Sequence, residues 1–429
     1  MHLQKYRLPK ATVRLTRAPD NTAKSAMPFP HLHLLRVAAT VALKAALALT
    51  FTALIVQTAL AGDDHRHWEF GLVLDTAYSG KTMELGYRDR NLQLGHGDIM
   101  ISGPLGRGLY LEAIVSGHTA DGRLFTHTER LLLTHERQDS GFSLGLGRFA
   151  SQVGAINAQH PHEDDFSERP LLYRGFLGNH WFDDGLRLNW LAPTPFYLRL
   201  GAEAFSGRQL IEQSQATPVV GAGTLSIKTG ADIDPTRSWA FGVSVLNNFR
   251  QAAPHDHVAS SSTQSHLHGA SFSGRQLWMS DLTLRWSPQG RPEEQELKLT
   301  WEYASARRIH PDAGALMHTA SALAAVWRFR RNWEMGAKAD WLRVHQPSLH
   351  DDDSNPATAA TLEFGAAQLR EKALMIAYRP DHGRTLRLQY SRQQARGPDV
   401  ADVFPHPVRE VLMLQLVLGF GSARHHHHD

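Results

Sequence analysis

The chain has 429 residues, 42% hydrophobic and 20% charged, with no cysteine and a formal net charge of +3. Lacking cysteine, it can form no disulfide, thiolate metal site or cysteine nucleophile. A mean hydropathy of −0.34 excludes a bundle of membrane helices, yet it suits a barrel in which half of each strand faces water.

The first predicted element is an export segment over residues 1–61. Arg36 precedes an apolar run broken only by Lys44, which ends at Ala59-Leu60-Ala61, an A-x-A cleavage pattern. Met27 is an alternative start. A retained anchor is the competing reading, since the run approaches the length of a membrane span. The small residues that end it, with no basic stop-transfer cluster after them, favour cleavage. Residues 1–61 hold eight of the 45 Lys/Arg and one of the 42 Asp/Glu. The remainder then carries 37 basic and 41 acidic residues, net −4 with His neutral. That removes the main support for a nucleic-acid partner.

From residue 62 the chain resolves into alternating segments of strand period. Seven short connections rich in Gly, Pro, Asp or Asn stand out: 104–107, 138–141, 192–195, 234–237, 287–290, 330–332 and 380–383. The other connections are long, polar and variable in composition. Short turns at one end and long loops at the other are the asymmetry of an outer-membrane barrel. Seven turns predict sixteen strands, beginning near residues 68, 91, 108, 127, 141, 184, 196, 220, 237, 276, 295, 318, 333, 365, 384 and 409. The fold class predicted is all-β, a transmembrane antiparallel β-barrel over 62–420, followed by a His-rich tail at 421–429.

Several strands sort their faces. Leu186, Leu188 and Trp190 oppose Arg187 and Asn189; Leu297, Leu299, Trp301 and Tyr303 oppose Lys298, Thr300 and Glu302; Leu386, Leu388 and Tyr390 oppose Arg387 and Gln389. A soluble sandwich alternates too. The tryptophans at strand ends (Trp190, Trp286, Trp301, Trp327, Trp333, Trp341) add an aromatic girdle. The last strand, Val411–Phe420, holds no helix breaker and ends on an aromatic residue.

One connection, 147–183, is too long and too aromatic for a solvated tail, and it reads as a loop folded into the barrel. The Gly147-Arg148-Phe149 start, the Gly154-x-Ile156-Asn157 segment, the His-rich Asp-Phe element and the strand Asp184-Gly185-Leu186-x-Leu188-x-Trp190 resemble the phosphate-selective porin O and P family. Within it the chain is most similar to a His-rich outer-membrane branch linked to zinc uptake. The motifs cover mainly residues 141–206. The resemblance implies a sixteen-stranded porin in the bacterial outer membrane, a homotrimer, with an infolded third loop that sets selectivity. Pore or constriction residues on this reading are Arg148, Arg169, Arg174, Asp183, Arg187, Arg199, Arg285, Lys298 and Arg387. The positive track that Arg187, Arg199, Arg285, Lys298 and Arg387 form is offset by Glu203 and Glu302, a departure from the family's arginine ladder.

Three of the 26 histidines lie in the export segment and four in the tail, leaving 19. His160 and His162 bracket a proline in the infolded loop beside Asp164, and His255, His257, His266 and His268 crowd another loop. Imidazole and carboxylate suit divalent metals such as Zn²⁺. Neither set has the spacing of a structural zinc site, so incidental solvated histidines stay open as the alternative.

No G-x-S-x-G, H-E-x-x-H, P-loop or dinucleotide signature occurs, which argues against an enzyme. The expected function is a porin passing small hydrophilic solutes, ions or metal complexes among outer-membrane lipids. It requires no cofactor. The alternative is a surface metal-binding or adhesion protein on a plugged barrel.

Overall fold

The computed structural model describes residues 68–421 apart from 121, 211–217, 251–269, 351–360, 382 and 399. The export segment, the 422–429 tail and the loop carrying His255, His257, His266 and His268 lie outside the described residues.

Sixteen strands form one closed antiparallel barrel. The first half comprises β1 (Glu69–Ser79), β2 (Asn91–Gly106), β3 (Leu109–Ala120), β4 (Arg123–Arg137), β5 (Phe142–Ala150), β6 (Phe182–Leu191), β7 (Tyr197–Phe205) and β8 (Ala222–Asp234). The second comprises β9 (Arg237–Asn248), β10 (Gln276–Trp286), β11 (Glu296–Arg307), β12 (Met317–Arg330), β13 (Trp333–His350), β14 (Thr361–Asp381), β15 (Arg384–Arg396) and β16 (Val408–Gly421). Each strand pairs with its neighbours in sequence, and β1 closes on β16 in register Gly71↔Gly421 to Ser79↔Met413.

All seven predicted turns fall at strand junctions at one end of the barrel. The largest displacement of a predicted strand start is four residues, at β4 and β14. One expectation fails at the other end, where β3 and β4 are joined by residues 121–122 alone rather than by a long loop.

The faces follow the pattern read from sequence. Leu412, Leu414, Leu416 and Phe420 of β16 are exposed on the outside, while Met413 and Gln415 are buried within. The same split holds on β15, where Leu386, Leu388 and Tyr390 point out and Arg387 and Gln389 point in. Trp286, Trp301, Trp327, Trp333 and Trp341 are exposed on the outer face, as girdle residues at a membrane boundary should be.

The connection between β5 and β6 turns inward. Its folded part is 151–181, shorter than predicted because both flanking strands extend into it. It contains α1 (Leu171–Leu177), started after Pro170 and ended by Gly178 in the left-handed conformation. Every residue of α1 is buried. The inward side chains Ala304, Ala306, Ala320 and Ala322 of β11 and β12 are small enough for Leu171, Leu172, Phe176 and Leu177 to pack into a shared apolar cluster. The interior is therefore not uniformly wet: one wall carries a hydrophobic core beneath the loop.

The lipid-face assignment has a direct test. Leu414→Arg should cost about 2–4 kcal/mol of stability if its side chain lies near the bilayer midplane. Denaturant unfolding in lipid vesicles measures it, and a negligible cost would contradict an apolar exterior at β16.

Candidate metal centre in the lumen

The inward faces of β2, β3 and β4 bring a group of polar side chains under the infolded loop. Asp98 and Ser116 are directly opposite in the β2–β3 register. The Ser116 hydroxyl lies 2.6 Å from Asp98 Oδ1 and also contacts Glu129 Oε2. A hydroxyl has one proton to donate, so two buried carboxylates on one oxygen call for positive charge nearby.

Two irregularities in the ladder create this geometry. In β4 the register slips between Ile114↔Arg130 and Val115↔Thr128, which leaves Glu129 unpaired. Glu129 and Arg130 are therefore both buried inside although adjacent in sequence. In β2 the register slips between Asp75↔His96 and Thr76↔Leu94, leaving Gly95 as the extra residue before His96. A side chain at 95 would collide with the Arg88 guanidinium packed over it. Bulges of this kind re-aim side chains beside functional sites.

Imidazoles converge on the two carboxylates. His96 Nε2 is 3.0 Å from Asp98 Oδ1 and 3.1 Å from Glu129 Oε2. From the loop, His160 Nδ1 lies 3.5 Å from Asp98 Oδ2 and 3.7 Å from Glu129 Oε1. His162 Nδ1 is 3.2 Å from Asp98 Oδ2, and His180 Nδ1 is 2.7 Å from Glu129 Oε1. One donor atom from each of His96, Asp98, Glu129 and His160 falls within 4.8 Å of all the others, and all four residues are buried. Despite these approaches His96 Nε2, Asp98 Oδ2, Glu129 Oε1, His160 Nδ1 and His162 Nδ1 have no hydrogen-bond partner. Buried polar atoms are rarely left so. Two oxygen and two nitrogen donors around one point suit a divalent cation of the zinc class. Burial pushes His180 down to about 4 against the opposing charge of Glu129, so its ring is neutral near pH 7.

The rest of the loop is tied to itself and to the far wall. Asn157 bonds Ser151 O and Trp181 O at 2.8 Å and receives Trp181 N at 2.9 Å, joining the two ends. Arg169 donates to Asp164 Oδ2 at 2.7 Å, Asn179 O at 3.1 Å and Gln159 O at 2.5 Å. Arg174 pairs with Glu371 of β14. Lys338 of β13 donates to Glu168 O at 2.9 Å.

These contacts decide where the sequence-predicted site residues stand. His160 and His162 reach the cluster; Asp164 does not, because Arg169 holds it elsewhere. Arg148 departs from its predicted place in the pore. It follows the outward leucines of β5 by parity and pairs with Asp184 at 2.7 Å. Arg169 and Arg174 are buried structural cations rather than pore-lining ones. Asp183 accepts from Ser206 Oγ at 2.6 Å. Arg187 pairs with Glu203 at 2.7 Å, Lys298 with Asp165 at 2.6 Å, and Arg285 with Glu296 at 3.1 Å. Arg387, fully buried, bonds Gln415 and Asp164 O. Among the described residues Arg199, Arg387 and Asp183 of the set have no ion pair. The residues missed from sequence are His96, Asp98, Glu129 and His180. The His96-x-Asp98 pair on a strand places both side chains on one face, a signal that was there to use.

No protein-family model matches the chain. It is 49% identical over 67 residues to an uncharacterized protein of Aquifex aeolicus (strain VF5), a stretch covering 16% of this chain and 14% of that protein. In structure it is similar to OprB of Pseudomonas putida at high pH, with TM-score 0.53 and 12% identity over 82% of this chain and 94% of that one. It is likewise similar to the loop L8 deletion mutant of OmpT, an outer membrane protein of Vibrio cholerae, with TM-score 0.52 and 10% identity over 83% of this chain and 100% of that one. At such identities the likeness is one of fold, and the fold is that of an outer-membrane barrel.

Arg169 links Asp164 to both legs of the loop, so Arg169→Met should leave a buried carboxylate unpaired, a loss on the order of 3–5 kcal/mol. Hydrogen exchange over residues 151–181 should rise in this variant while the strands remain protected; equal protection would show that the loop does not need the clamp.

Proposed function

We propose that the protein is an outer-membrane channel for small hydrophilic solutes and ions, and that a divalent cation of the zinc class binds inside it at His96, Asp98, Glu129 and His160. The observation that carries this reading is the convergence of wall carboxylates and loop imidazoles on one buried point. A closed barrel with charged inward residues and an infolded loop supports the channel role. The loop contributes His160, His162 and His180 to the centre, so selectivity on this reading is set where loop and wall meet. The predicted arginine track argues little for anions, because most of its cations have carboxylate partners.

A specific observation favours the second reading, a metal-binding protein on a plugged barrel. The apolar packing of α1 against β11, β12 and β13 fills one side of the interior.

Single-channel recording separates the two. The channel reading expects stepwise conductance that Zn²⁺ reduces at far lower concentration than Mg²⁺, since nitrogen donors favour zinc. His96→Ala combined with His160→Ala should raise the zinc concentration needed at least tenfold, equivalent to about 1.4 kcal/mol. Zinc binding without conductance steps would favour the plugged barrel. An unchanged zinc response in the double variant would remove the metal centre from either reading.

A further inference from the structure

A second charged feature lies on the opposite surface, facing outward at the loop end of β13, β14 and β15. Arg343, Arg370, Lys372, Arg392 and Arg396 are exposed there, on the same face as the lipid-facing Leu374, Ile376 and Leu388. The registers crowd them together. Lys372 is directly opposite Arg392, while Gln368 stands between Arg343 on one side and Arg396 on the other. Like charges directly opposite on one face destabilise a sheet, and cations on the lipid face are tolerated only toward the interface.

Opposing charge is scarce. Among the described residues Arg343, Arg370, Lys372 and Arg396 have no ion pair, and Arg392 has only Glu410, 3.6 Å away with both side chains about half exposed. Beside the cluster is a cavity of about 180 Å³ lined by Tyr303, Trp341, Arg343, Gln368 and Arg370, with Thr319 and Ser321 as further polar groups. No acidic residue lines it. Tyr303 and Trp341 are outward aromatics of the kind that sit at headgroup depth.

We propose that this face is a binding site for the phosphorylated headgroup of a membrane glycolipid, held by Arg343, Arg370, Lys372 and Arg392. The occupant must be anionic to match five crowded cations. It must also be amphiphilic, because the cluster continues directly into the apolar belt. Planar guanidinium groups match phosphate oxygens in pairs, with lysine supplying a point charge. The Lys372–Arg392 opposition, unfavourable by itself, becomes a favourable bracket around a phosphate dianion. The acyl chains would lie along Leu374 and Leu388.

The test uses the full barrel in detergent, incubated with bisphosphorylated lipid A or with the same lipid after removal of both phosphates, and counts retained lipid by native mass spectrometry. The wild-type protein should retain the phosphorylated lipid at least tenfold better than the dephosphorylated one. Combining Arg370→Gln, Lys372→Gln and Arg392→Gln should abolish that preference. Millimolar inorganic phosphate should not displace the lipid, since it lacks the acyl contacts; complete displacement would mean a free-anion site and overturn the proposal. Equal retention of the two lipids by the wild type would overturn it as well, even if the triple variant failed to fold. Retention of the preference by a folded variant would place the site elsewhere and overturn it too.

Discussion

Lipid offers no hydrogen bonds, so every backbone N–H and C=O of a spanning strand must find its partner within the protein. The β1–β16 ladder meets that demand by removing the last two edges. Closure then dictates much else. With each strand locked between two neighbours, side chains have only two directions, toward lipid or toward the lumen. The alternation of Leu386, Leu388 and Tyr390 with Arg387 and Gln389 is the consequence. A strand of a closed ladder can deliver two adjacent side chains to the lumen by means of a bulge. Glu129 and Arg130 are delivered in that way, and the slip at Gly95 precedes His96. The candidate centre is therefore built at two of the places on its wall where the ladder is irregular.

The infolded loop is held from both sides by different chemistry. On one side α1 packs on alanines, Arg174 of the loop pairs with Glu371 of the wall, and Lys338 of the wall donates to Glu168 O at 2.9 Å. Breaking such buried pairs leaves an uncompensated charge, which fixes the position of that half firmly. On the other side His160, His162 and His180 face Asp98 and Glu129 without hydrogen bonds of good geometry. The first contact is complete within the chain. The second has donor atoms to spare.

Periodicity made the barrel legible. Alternation and turn residues placed sixteen strands because both are local properties, and the inward-folded loop could be read from its length and aromatic content. The starts of β4 and β14 were displaced because the β3–β4 and β13–β14 hairpins extend pairing beyond what local pattern shows. The metal residues were only half legible. His160 and His162 stood out as a pair, but Asp98, Glu129 and His96 lie up to 64 positions upstream on the wall, and only the barrel's curvature brings them there. Glu129 was hidden further by its bulge, since strict alternation cannot point both Glu129 and Arg130 inward. Arg148 was misplaced for the converse reason: its parity follows Leu144 and Leu146 outward, and proximity in sequence to the loop does not change that.

The surplus of donors bears on what kind of site this is. A structural zinc site is closed, with four protein ligands and no more. Here four imidazoles and two carboxylates border one region, and each carboxylate presents one oxygen toward wall His96 and the other toward loop histidines. An ion bound under the proposed function could exchange His96 for His162 or His180 while Asp98 and Glu129 stay in contact. Each such exchange would break one bond as another formed. Conduction needs binding strong enough to admit an ion and weak enough, or multiple enough, to release it. On the proposed reading a ladder of partly shared ligands between loop and wall would have that property, whereas the compensated Arg187–Glu203 pair of the wall and the Lys298–Asp165 pair between wall and loop have little free charge left to offer.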